Sequence, residues 1–497
     1  MDKEKIKKHL DEAVKNEKYE IAAKLRDDLE RETKPKDLRE FSQGLNEGQK
    51  KAFDGLVSFL TEKSSDVSIL VGYAGTGKTF LVKRLTDYIH KHHPKWKIAL
   101  TAPTNRAVRV LSKMNTIKDY RCTYQTIHKL LGLKEEIKND GTIVFTRQFN
   151  TTNEIRSFKV LIVDEVSMLD DKLFDEIYKE RGFIKIIFMG DPAQIPPVNR
   201  PDCIPFNEEK KMFFDFREFR LTQIMRQSEG NPIIESSFTI RNNLTKRNPI
   251  DNIQTSIVKN GNGIIRIDLN KKEERDSTYQ LFEKYFKTTE FMEDANYAKV
   301  IAWRNVTVDK VNRIIRQIIF GDHLDKIVEN EKLVVKKPIM DGSTDIIIFN
   351  TSEELSVKEF SITTDSFNAV EGKVKLKYYD TIVTAFDIEG KEYDRSIMIL
   401  HEDSQRDFDI ISNAFKKKAI ETKGHNGAWN KYYQFTRIFA NVAYNYSITC
   451  HQSQGGTYQN VFVMEDDIDL NSDIYEKNRI LYTSYSRPSD HLFILKR

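Results

Sequence analysis

The chain has 497 residues, too many for a single hydrophobic core, so we expect several domains. Charged residues make up 31% and apolar residues 39% of the chain, an ordinary globular balance. No stretch approaches the roughly 20 consecutive apolar residues that cross a bilayer. The first residues contain neither the apolar core nor the small-residue cleavage site of a secretion signal. Membrane and secreted classes are thereby disfavoured, and a cytoplasmic protein without a membrane partner is predicted.

Cysteine content and net charge are both uninformative about partners. The three cysteines lie far apart, without a CxxC pair or a Cys/His cluster, so neither a structural zinc nor a disulfide framework is predicted; they are Cys122, Cys203 and Cys450. The net charge of +4 is small for this length. Any case for nucleic-acid binding must therefore depend on local motifs.

The first 33 residues are predicted to form a helical hairpin. Two apolar stripes at helical spacing flank a polar break at Asn16 and Glu17; they consist of Ile6, Leu10 and Val14, and of Ile21, Leu25 and Leu29. Residues 34–44 contain Pro35 and several charges and are predicted to be a linker. The main body should begin after them.

Residues 45–218 have the pattern of a parallel α/β domain. The apolar runs VSILVG, KIALTAP, VLIVDE and IKIIFMGD alternate with helical stretches and end in loop residues. Ligands of such sheets bind beyond the carboxyl ends of the strands. Within this domain, residues 129–158 are polar and contain the turn-forming residues Asn139, Asp140 and Gly141, so we expect an inserted hairpin.

A second α/β region spans residues 219–329 and resumes at 435–497. Its first part contains KVIAWRN as a predicted strand and VDKVNRIIRQIIF as a predicted helix. Between the two parts, residues 330–434 show short β-rich pieces separated by turns. The expected architecture is therefore two α/β domains, the first with a hairpin insert and the second with a β-rich insert.

The segment GYAGTGKT at residues 72–79 is a strong motif because it follows an apolar strand and opens a helix. Backbone N–H groups of such a loop surround phosphates, Lys78 reaches the β and γ phosphates, and the Thr79 hydroxyl can ligate Mg²⁺. The predicted nucleotide-binding residues are Gly72, Ala74, Gly75, Thr76, Gly77, Lys78 and Thr79. An accidental glycine-rich turn is the alternative, which the strand and helix on either side disfavour.

Two later strand ends carry further candidate residues. Asp164 and Glu165 follow the strand VLIV, where the first carboxylate can hold the metal and the second can orient or deprotonate the attacking water. Their alternative interpretation is a solvated acidic turn. Gln194 follows the next strand and could sense the γ-phosphate.

Eight motifs, in order, resemble those of superfamily 1B DNA helicases, in particular Dda-like and RecD-like enzymes. They are GYAGTGKT, APTNRAV, TIH, DEVSM, GDPAQIPPV, LTQIMRQ, YSITCHQSQG and LYTSYSRPSD. The resemblance covers residues 45–497. It implies two RecA-like P-loop NTPase domains that close on ATP and Mg²⁺, with a strand-splitting hairpin in the first and an SH3-like insert in the second.

The resemblance also implies an activity. The expected enzyme is an ATP-dependent motor, monomeric in the sense that one chain suffices, moving 5′ to 3′ along single-stranded DNA and acting at junctions of single and double strands. Replication, recombination and repair are the processes in which such enzymes work. The direction follows only from the subfamily.

Individual roles follow from the resemblance as well. Gln49 matches the glutamine that reads adenine, although it could be an exposed helix residue. Arg226 and Arg487 match arginines that reach across the cleft to stabilise transferred charge, although a single arginine is usually a surface residue.

Strand contacts are implied for seven residues of the two domains: Pro103, Thr104, Thr126, His128, Thr449, His451 and Gln454. Each histidine could instead be a satisfied core residue. The family commonly has lysine where Gln452 stands, which removes one cationic contact here. Phe145 or Phe149 of the hairpin could stack on a base, or be an ordinary core or surface aromatic.

The N-terminal hairpin resembles the UVR motif of UvrB and UvrC through Tyr19-Glu20, Ala22-Ala23 and Leu25-Arg26-Asp27. In those proteins it pairs with another such hairpin, so a protein partner is implied. Packing on its own motor is the alternative. Two rival functions remain: a P-loop kinase, which needs no second α/β domain, and an adaptor with a degenerate motor, which intact Lys78 and Glu165 disfavour.

Overall fold

The structure is a computed structural model of the chain. It describes residues 36–63, 65–114, 121–147, 153–197, 202–223, 231–250, 253–258, 261–322, 325–341 and 347–497. The predicted N-terminal hairpin, Arg226 and Phe149 lie outside the described residues. In the described part of the chain, no helix combines the length and apolar character needed to cross a membrane.

The described residues of the first half of the chain form eight strands. In chain order they are Val67–Gly72 (β1), Ile98–Ala102 (β2), Cys122–Thr126 (β3), Leu133–Ile137 (β4), Ile143–Arg147 (β5), Val160–Val163 (β6), Lys185–Gly190 (β7) and Phe216–Leu221 (β8). Six of them form a parallel sheet in the order β3-β2-β6-β7-β1-β8. Strands β1, β2, β6 and β7 are buried at every position because helices cover both faces. The predicted parallel α/β fold is confirmed.

The accompanying helices are Lys36–Phe41 (α1), Glu47–Thr61 (α2), Lys78–His92 (α3), Asn105–Met114 (α4), Ile127–Leu130 (α5), Asp171–Glu180 (α6) and Glu208–Lys211 (α7). Helix α1 corrects the prediction that residues 34–44 are only a linker. Its last residue, Phe41, is buried and packs edge-on against Tyr88 of α3, with ring centroids 5.6 Å apart. The apolar contact is what orders this segment. Likewise β8 crosses the predicted boundary at residue 218, because it pairs along its whole length with β1.

Strands β4 and β5 form the predicted hairpin within residues 129–158, which we call the pin hairpin. The strands pair antiparallel from Leu133 opposite Arg147 to Ile137 opposite Ile143. The Gly141 N–H donates to the Lys138 carbonyl (2.9 Å), and Gly141 adopts a φ of +84°. A residue with a side chain would be strained there, so glycine is required by this turn.

In the second half, the part of the chain that the structure describes forms thirteen strands: Ser256–Ile257 (β9), Gly263–Asp268 (β10), Ala298–Ala302 (β11), Lys332–Val335 (β12), Ile339–Met340 (β13), Ile347–Phe349 (β14), Glu354–Asn368 (β15), Lys373–Phe386 (β16), Glu392–Leu400 (β17), Val442–Tyr444 (β18), Ser447–Thr449 (β19), Tyr458–Met464 (β20) and Pro488–Lys496 (β21). The second domain is built on a sheet of order β19-β11-β20-β21-β10-β9, parallel except for β9. Strands β17-β16-β15-β12-β18 form the antiparallel sheet of the insert.

The helices of this half are Pro232–Arg241 (α8), Lys272–Phe286 (α9), Thr289–Glu293 (α10), Asn305–Phe320 (α11), Gln405–Glu421 (α12), Ala428–Thr436 (α13), Cys450–Ser453 (α14), Glu465–Ile468 (α15) and Ile474–Tyr485 (α16). Helices α12 and α13 are additions to the β-rich insert predicted for residues 330–434, which the sequence patterns did not indicate. Phe408, Ile411 and Phe415 recur at helical spacing along α12 and pack in the core of the insert. Strand β18 also carries the insert beyond residue 434.

A group of charges around the buried Lys299 joins the two domains and the insert. Arg106, in the first turn of α4, lies 3.6 Å from the Glu354 carboxylate of the insert, and Lys299 of β11 lies 4.0 Å from the same carboxylate. Burial alone would raise the pKa of Glu354, but the charges of Arg106 and Lys299 outweigh it and lower that pKa to about 2. The single carboxylate therefore balances two cations from two domains.

We expect Glu354→Gln to destabilise the protein. Removing the Glu354 charge leaves the buried Lys299 ammonium uncompensated, which costs about 3 kcal/mol, so the thermal unfolding midpoint should fall by about 5 °C or more. Glu359→Gln on the exposed side of the same strand serves as the control and should leave the midpoint unchanged. Equal midpoints for the two variants would show that the junction contributes nothing to stability.

Candidate nucleotide site and strand-contacting loops

The phosphate loop, residues 72–79, connects β1 to α3 at the carboxyl edge of the first sheet. Gly75 and Gly77 adopt φ values of +80° and +78°, which glycine permits. A Cβ on Gly72 would lie 2.6 Å from the Thr76 hydroxyl, so a side chain is excluded there. The Lys78 ammonium donates to the Gly72 carbonyl (2.7 Å) and to the Tyr73 carbonyl (3.2 Å). The loop thus surrounds the Lys78 ammonium, and the contact of Lys78 with phosphates stays a prediction.

Gln49 supports this loop through its side chain. Its amide nitrogen donates to the Thr76 carbonyl (2.9 Å), and its amide oxygen accepts from the Asn46 N–H (3.1 Å). The residue is buried, which excludes the alternative of an exposed helix glutamine. Both ends of the amide are engaged by protein groups, so the structure gives Gln49 a role in holding the loop. Its contact with adenine stays a prediction.

Asp164 and Glu165 lie at the tip of β6, separated from β1 by β7. The Glu165 N–H donates to Asp164 Oδ1 (2.8 Å), and Glu165 adopts a left-handed φ of +52°, which is unusual for a residue with a side chain. Burial, and then the charge of Glu165, raise the pKa of Asp164 to about 7, while Lys78 acts in the opposite direction. A buried carboxylate followed in the chain by a second, partly exposed one fits a divalent cation, whose positive charge would offset both causes of the raised pKa.

Residues 191–197, which we call the switch loop, leave β7 and enter the second domain. Ala193 and Ile195 pack in the apolar core of that domain. Arg479 of α16 donates to the Gln194 carbonyl (2.6 Å), and Gln454 donates to the Ile195 carbonyl (2.9 Å). Gln194 itself is buried, and its amide oxygen has no hydrogen-bond partner among the described residues. The first domain therefore extends a loop into the second.

This arrangement bears on one predicted strand contact. Gln454 is 3% exposed and its amide is used by the switch loop, so its side chain serves a contact between domains here. Gln452 completes the N-terminal cap of α14 by accepting from the Thr449 N–H (3.4 Å). A direct contact of Gln454 with DNA stays a prediction.

The cleft between the two domains, beside the phosphate loop, contains a polar cluster whose residues were not predicted to belong to the site. The Tyr482 hydroxyl donates to the Asp191 carboxylate (2.5 Å) and accepts from the Ala74 N–H (3.2 Å). Arg241 of α8 lies 3.6 Å from Asp191, and its guanidinium stacks 3.4 Å from the centroid of the Tyr73 ring. In the sequence, only the positions of Asp191 in GDPAQIPPV and of Tyr482 in LYTSYSRPSD indicated that these residues could belong to the site.

Arg487 is held within its own domain. Its guanidinium donates to the carbonyls of Thr483 (3.0 Å) and Gly456 (3.1 Å) and to the Ser486 hydroxyl (3.0 Å). It is 5% exposed, which excludes the alternative of a solvated surface arginine. A role in transferred-charge stabilisation stays a prediction and would require these hydrogen bonds to rearrange.

Three of the predicted strand-contacting threonines share one geometry. Thr104 follows β2, whereas Thr126 and Thr449 are the last residues of β3 and β19. Each hydroxyl accepts from the backbone N–H three residues later (3.3, 3.4 and 3.4 Å). Each therefore begins a helix, respectively α4, α5 and α14. Helix N-termini attract anionic groups such as phosphates. Pro103 immediately precedes the first of them.

The structure also brings His128 together with the pin hairpin. The His128 ring lies 4.8 Å from that of Phe145, which is 51% exposed on β5. Burial lowers the pKa of His128 and of His451, which favours neutral rings at neutral pH. Both histidines remain partly exposed, so neither is wholly a core residue.

The tip of the pin hairpin rests on the insert. The Trp429 indole donates to the Asn139 carbonyl (2.9 Å), and the Tyr433 hydroxyl donates to the Gly141 carbonyl (2.7 Å). Arg437 forms an ion pair of 2.6 Å with Glu135 of β4. A Cβ on Gly141 would lie 2.7 Å from the Trp429 ring, which is a second reason for this position to lack a side chain. Two parts of the chain separated by almost three hundred residues thus form one unit.

A phosphate loop after β1, an acidic pair at the tip of β6, two strands away in the same sheet, and a second α/β domain packed against the same edge define a class of protein. They are the parts of a P-loop NTPase with two RecA-like domains, in which hydrolysis and domain movement can be linked.

Comparison with known families agrees with this class. Residues 44–256 match the AAA domain model, residues 444–495 match the UvrD-like helicase C-terminal domain, and residues 3–31 match the UvrB/uvrC motif. The chain is 26% identical over 506 residues to the uncharacterized protein R530 of Acanthamoeba polyphaga mimivirus, covering 90% of this chain and 99% of that protein.

A second relative is the ATP-dependent DNA helicase dda of Enterobacteria phage T4. It is 29% identical over 462 residues, covering 89% of this chain and 97% of the relative. Among solved structures, the Pif1 helicase from Candida albicans aligns with a TM-score of 0.48 at 16% identity, covering 91% of this chain and 94% of that one. These matches show that the chain is similar to the superfamily 1B helicases, with the domains of an ATP-hydrolysing enzyme and an N-terminal UVR motif.

Proposed function

We propose that the chain is an ATP-dependent DNA helicase that moves 5′ to 3′ along single-stranded DNA and separates strands at single-to-double-strand junctions. The observation that carries the proposal is the shared placement of two sets of loops. The nucleotide residues follow β1, β6 and β7, and the threonine-capped helices follow β2, β3 and β19. Carboxyl ends of parallel strands meet at one edge of a sheet, so closing the cleft would move the DNA contacts relative to one another.

For hydrolysis, Lys78 binds the β and γ phosphates and Glu165 orients or deprotonates the attacking water. Thr79 and Asp164 would hold Mg²⁺, which when bound supplies charge neutralisation to the phosphates. Gln194, within the switch loop, senses the γ-phosphate. Arg226 and Arg487 stabilise charge on the transferred phosphoryl group from the second domain.

For DNA binding, the hydroxyls of Thr104, Thr126 and Thr449 and the helix N-termini behind them contact phosphates without regard to sequence. Because a threonine hydroxyl can cap a helix through its oxygen and still donate its hydrogen, capping does not prevent such a contact. Pro103, His128, His451 and Gln454 line the same track. The phage relative is named as an ATP-dependent DNA helicase, which supports DNA as the substrate.

For strand separation, the pin hairpin presents Phe145, which is exposed beside His128 and able to stack on a base. A pin must resist the force of the advancing duplex, and an isolated two-stranded hairpin is only marginally stable. The contacts of Trp429, Tyr433 and Arg437 brace its tip against the insert.

We expect Trp429→Ala to uncouple the pin from the motor. Losing the indole hydrogen bond and its packing on Gly141 costs about 1.4 kcal/mol at the tip, so the rate of fork unwinding should fall about tenfold. The ATPase rate stimulated by single-stranded DNA should remain within about twofold of the wild type, since the cleft is untouched. Lys431→Ala, exposed on the same helix, is the control. A parallel fall of both rates would assign the contact to the motor instead.

Direction and activity are tested together with duplexes carrying a 5′ or a 3′ single-stranded tail. The proposal expects unwinding of the 5′-tailed duplex, dependent on ATP and Mg²⁺, and little unwinding of the 3′-tailed one. Preferential unwinding of the 3′-tailed duplex would reverse the assigned polarity. Absence of both unwinding and DNA-stimulated hydrolysis would favour the rival kinase.

The N-terminal hairpin is proposed to recruit a protein partner, since UVR hairpins pair with their like. Deleting residues 1–33 should leave unwinding of naked DNA within about twofold of the full chain, because a docking module is dispensable when no partner is present. Loss of ATPase activity in the truncated chain would instead show that the hairpin belongs to the motor. The adaptor alternative, in which recruitment is the whole function, expects no unwinding from either form.

A further inference from the structure

The Asp191 carboxylate occupies a position that should repel nucleotide. Asp191 follows β7, and β7 lies between β1, which leads into the phosphate loop, and β6, which ends at Asp164 and Glu165. The side chain is completely buried. A buried carboxylate beside a polyphosphate is strongly unfavourable unless another group neutralises it.

The first domain supplies little compensation. Among the described residues of that domain, the Asp191 carboxylate accepts one hydrogen bond, from the Ala193 N–H (3.1 Å). The second domain supplies the rest: the Tyr482 hydroxyl donates to it, and the Arg241 guanidinium lies 3.6 Å away. The counter-charge of this carboxylate therefore comes from across the cleft.

Both of these groups also touch the phosphate loop. The Ala74 N–H donates to the Tyr482 hydroxyl (3.2 Å), and Arg241 stacks on the Tyr73 ring, which also lies 6.1 Å from the ring of Phe238 on the same helix. Burial and the neighbouring Asp191 charge raise the pKa of Tyr482 well above its ordinary value, so the phenol keeps its proton and donates. The Arg241 Nε has no hydrogen-bond partner among the described residues, which leaves charge and stacking as its interactions.

We propose that Arg241 and Tyr482 are positioning residues that neutralise and hold Asp191 from the second domain, and thereby allow ATP phosphates to occupy the loop beside it. The inference rests on the proposed ATP site. When the second domain moves away, Asp191 loses both partners and its charge opposes the incoming phosphates. Nucleotide affinity is in this way tied to the arrangement of the two domains.

The test is a double-mutant cycle on binding of a fluorescent ATP analogue, with Mg²⁺ and without DNA. Arg241→Gln should weaken binding about tenfold, since couplings of this kind amount to roughly 5- to 150-fold. Asp191→Asn should bind at least as tightly as the wild type. The double variant should bind within about threefold of Asp191→Asn, because the charge that needs neutralising is gone.

Two further variants separate charge from structure. Arg241→Lys keeps the charge and should bind more tightly than Arg241→Gln, and Tyr482→Phe keeps the ring but should raise the KM for ATP about threefold by losing the hydroxyl. Arg247→Gln, exposed beyond the same helix, is the matched control. All variants are first compared with the wild type by thermal unfolding, and the Lys and Phe variants carry the test if Arg241→Gln does not fold.

Equal weakening by Arg241→Gln in the wild-type background and in the Asp191→Asn background would overturn the proposal, as would unchanged binding in every variant. Because the cycle is measured without DNA, its outcome is independent of the helicase assignment. If the wild-type protein binds the analogue but DNA does not stimulate its ATPase rate, the proposed function is refuted. The double-mutant cycle would still decide whether Arg241 and Tyr482 act through Asp191.

Discussion

Lys78→Ala should abolish ATP hydrolysis and unwinding, with kcat lower by at least about 10³-fold, or about 4 kcal/mol of transition-state stabilisation. The Lys78 ammonium is the group expected to bind the β and γ phosphates. Its hydrogen bonds to the Gly72 and Tyr73 carbonyls show that it already lies inside the loop. Steady-state ATPase assays with saturating single-stranded DNA, paired with fork unwinding, provide the measurement.

Folding should survive this change, since the two carbonyls freed by removal of the lysine can bond to water at the loop. Lys172→Ala, exposed on α6 of the same domain, removes an equal charge and should keep full activity. Unwinding by Lys78→Ala at even a tenth of the wild-type rate would refute the assignment of this loop as the motor's ATP site.

Glu165→Gln should separate binding from hydrolysis. We expect kcat to fall about 10²- to 10³-fold, because an amide cannot accept the proton of the attacking water. ATP affinity should change by no more than about threefold, since the phosphate loop is intact. The charge of Glu165 is one cause of the raised pKa of Asp164, so its removal should lower that pKa and leave Asp164 ionised for the metal.

Binding of a fluorescent ATP analogue and single-turnover hydrolysis measure the two quantities separately. Asp175→Asn on the exposed side of α6 serves as the control for loss of one acidic group. If Glu165→Gln hydrolyses ATP at the wild-type rate, another group activates the water. If it loses ATP binding instead, Glu165 acts through the structure of the site.

Much of this protein could be predicted from short segments of sequence. The apolar strand before Gly72 and the amphipathic helix after Lys78 are local features, so the phosphate loop could be placed without a structure. The turn at Gly141 was equally local. The helices of the insert show that a local pattern can also be missed. Phe408, Ile411 and Phe415 recur at helical spacing, but the β-rich pieces around them favoured a prediction of strands.

The structural roles of single side chains depended on distant neighbours. Gln454 is predicted to contact DNA from its motif, yet its amide binds the switch loop, 259 positions away along the chain. The sequence did not indicate a role for Trp429, because its hydrogen-bond partner at Asn139 lies 290 positions away along the chain. No local pattern encodes such pairs.

Residues close together in the chain specify the chemistry at each strand end, namely the phosphate loop, the acidic pair and the threonines that cap helices. Packing of the two domains determines which of these ends face each other across the cleft, and therefore that Asp191 of one domain receives its counter-charge from Arg241 of the other. The difference is one of range. Turns, caps and strands form between near neighbours, whereas electrostatic balance is set by whichever charges packing brings within a few ångströms.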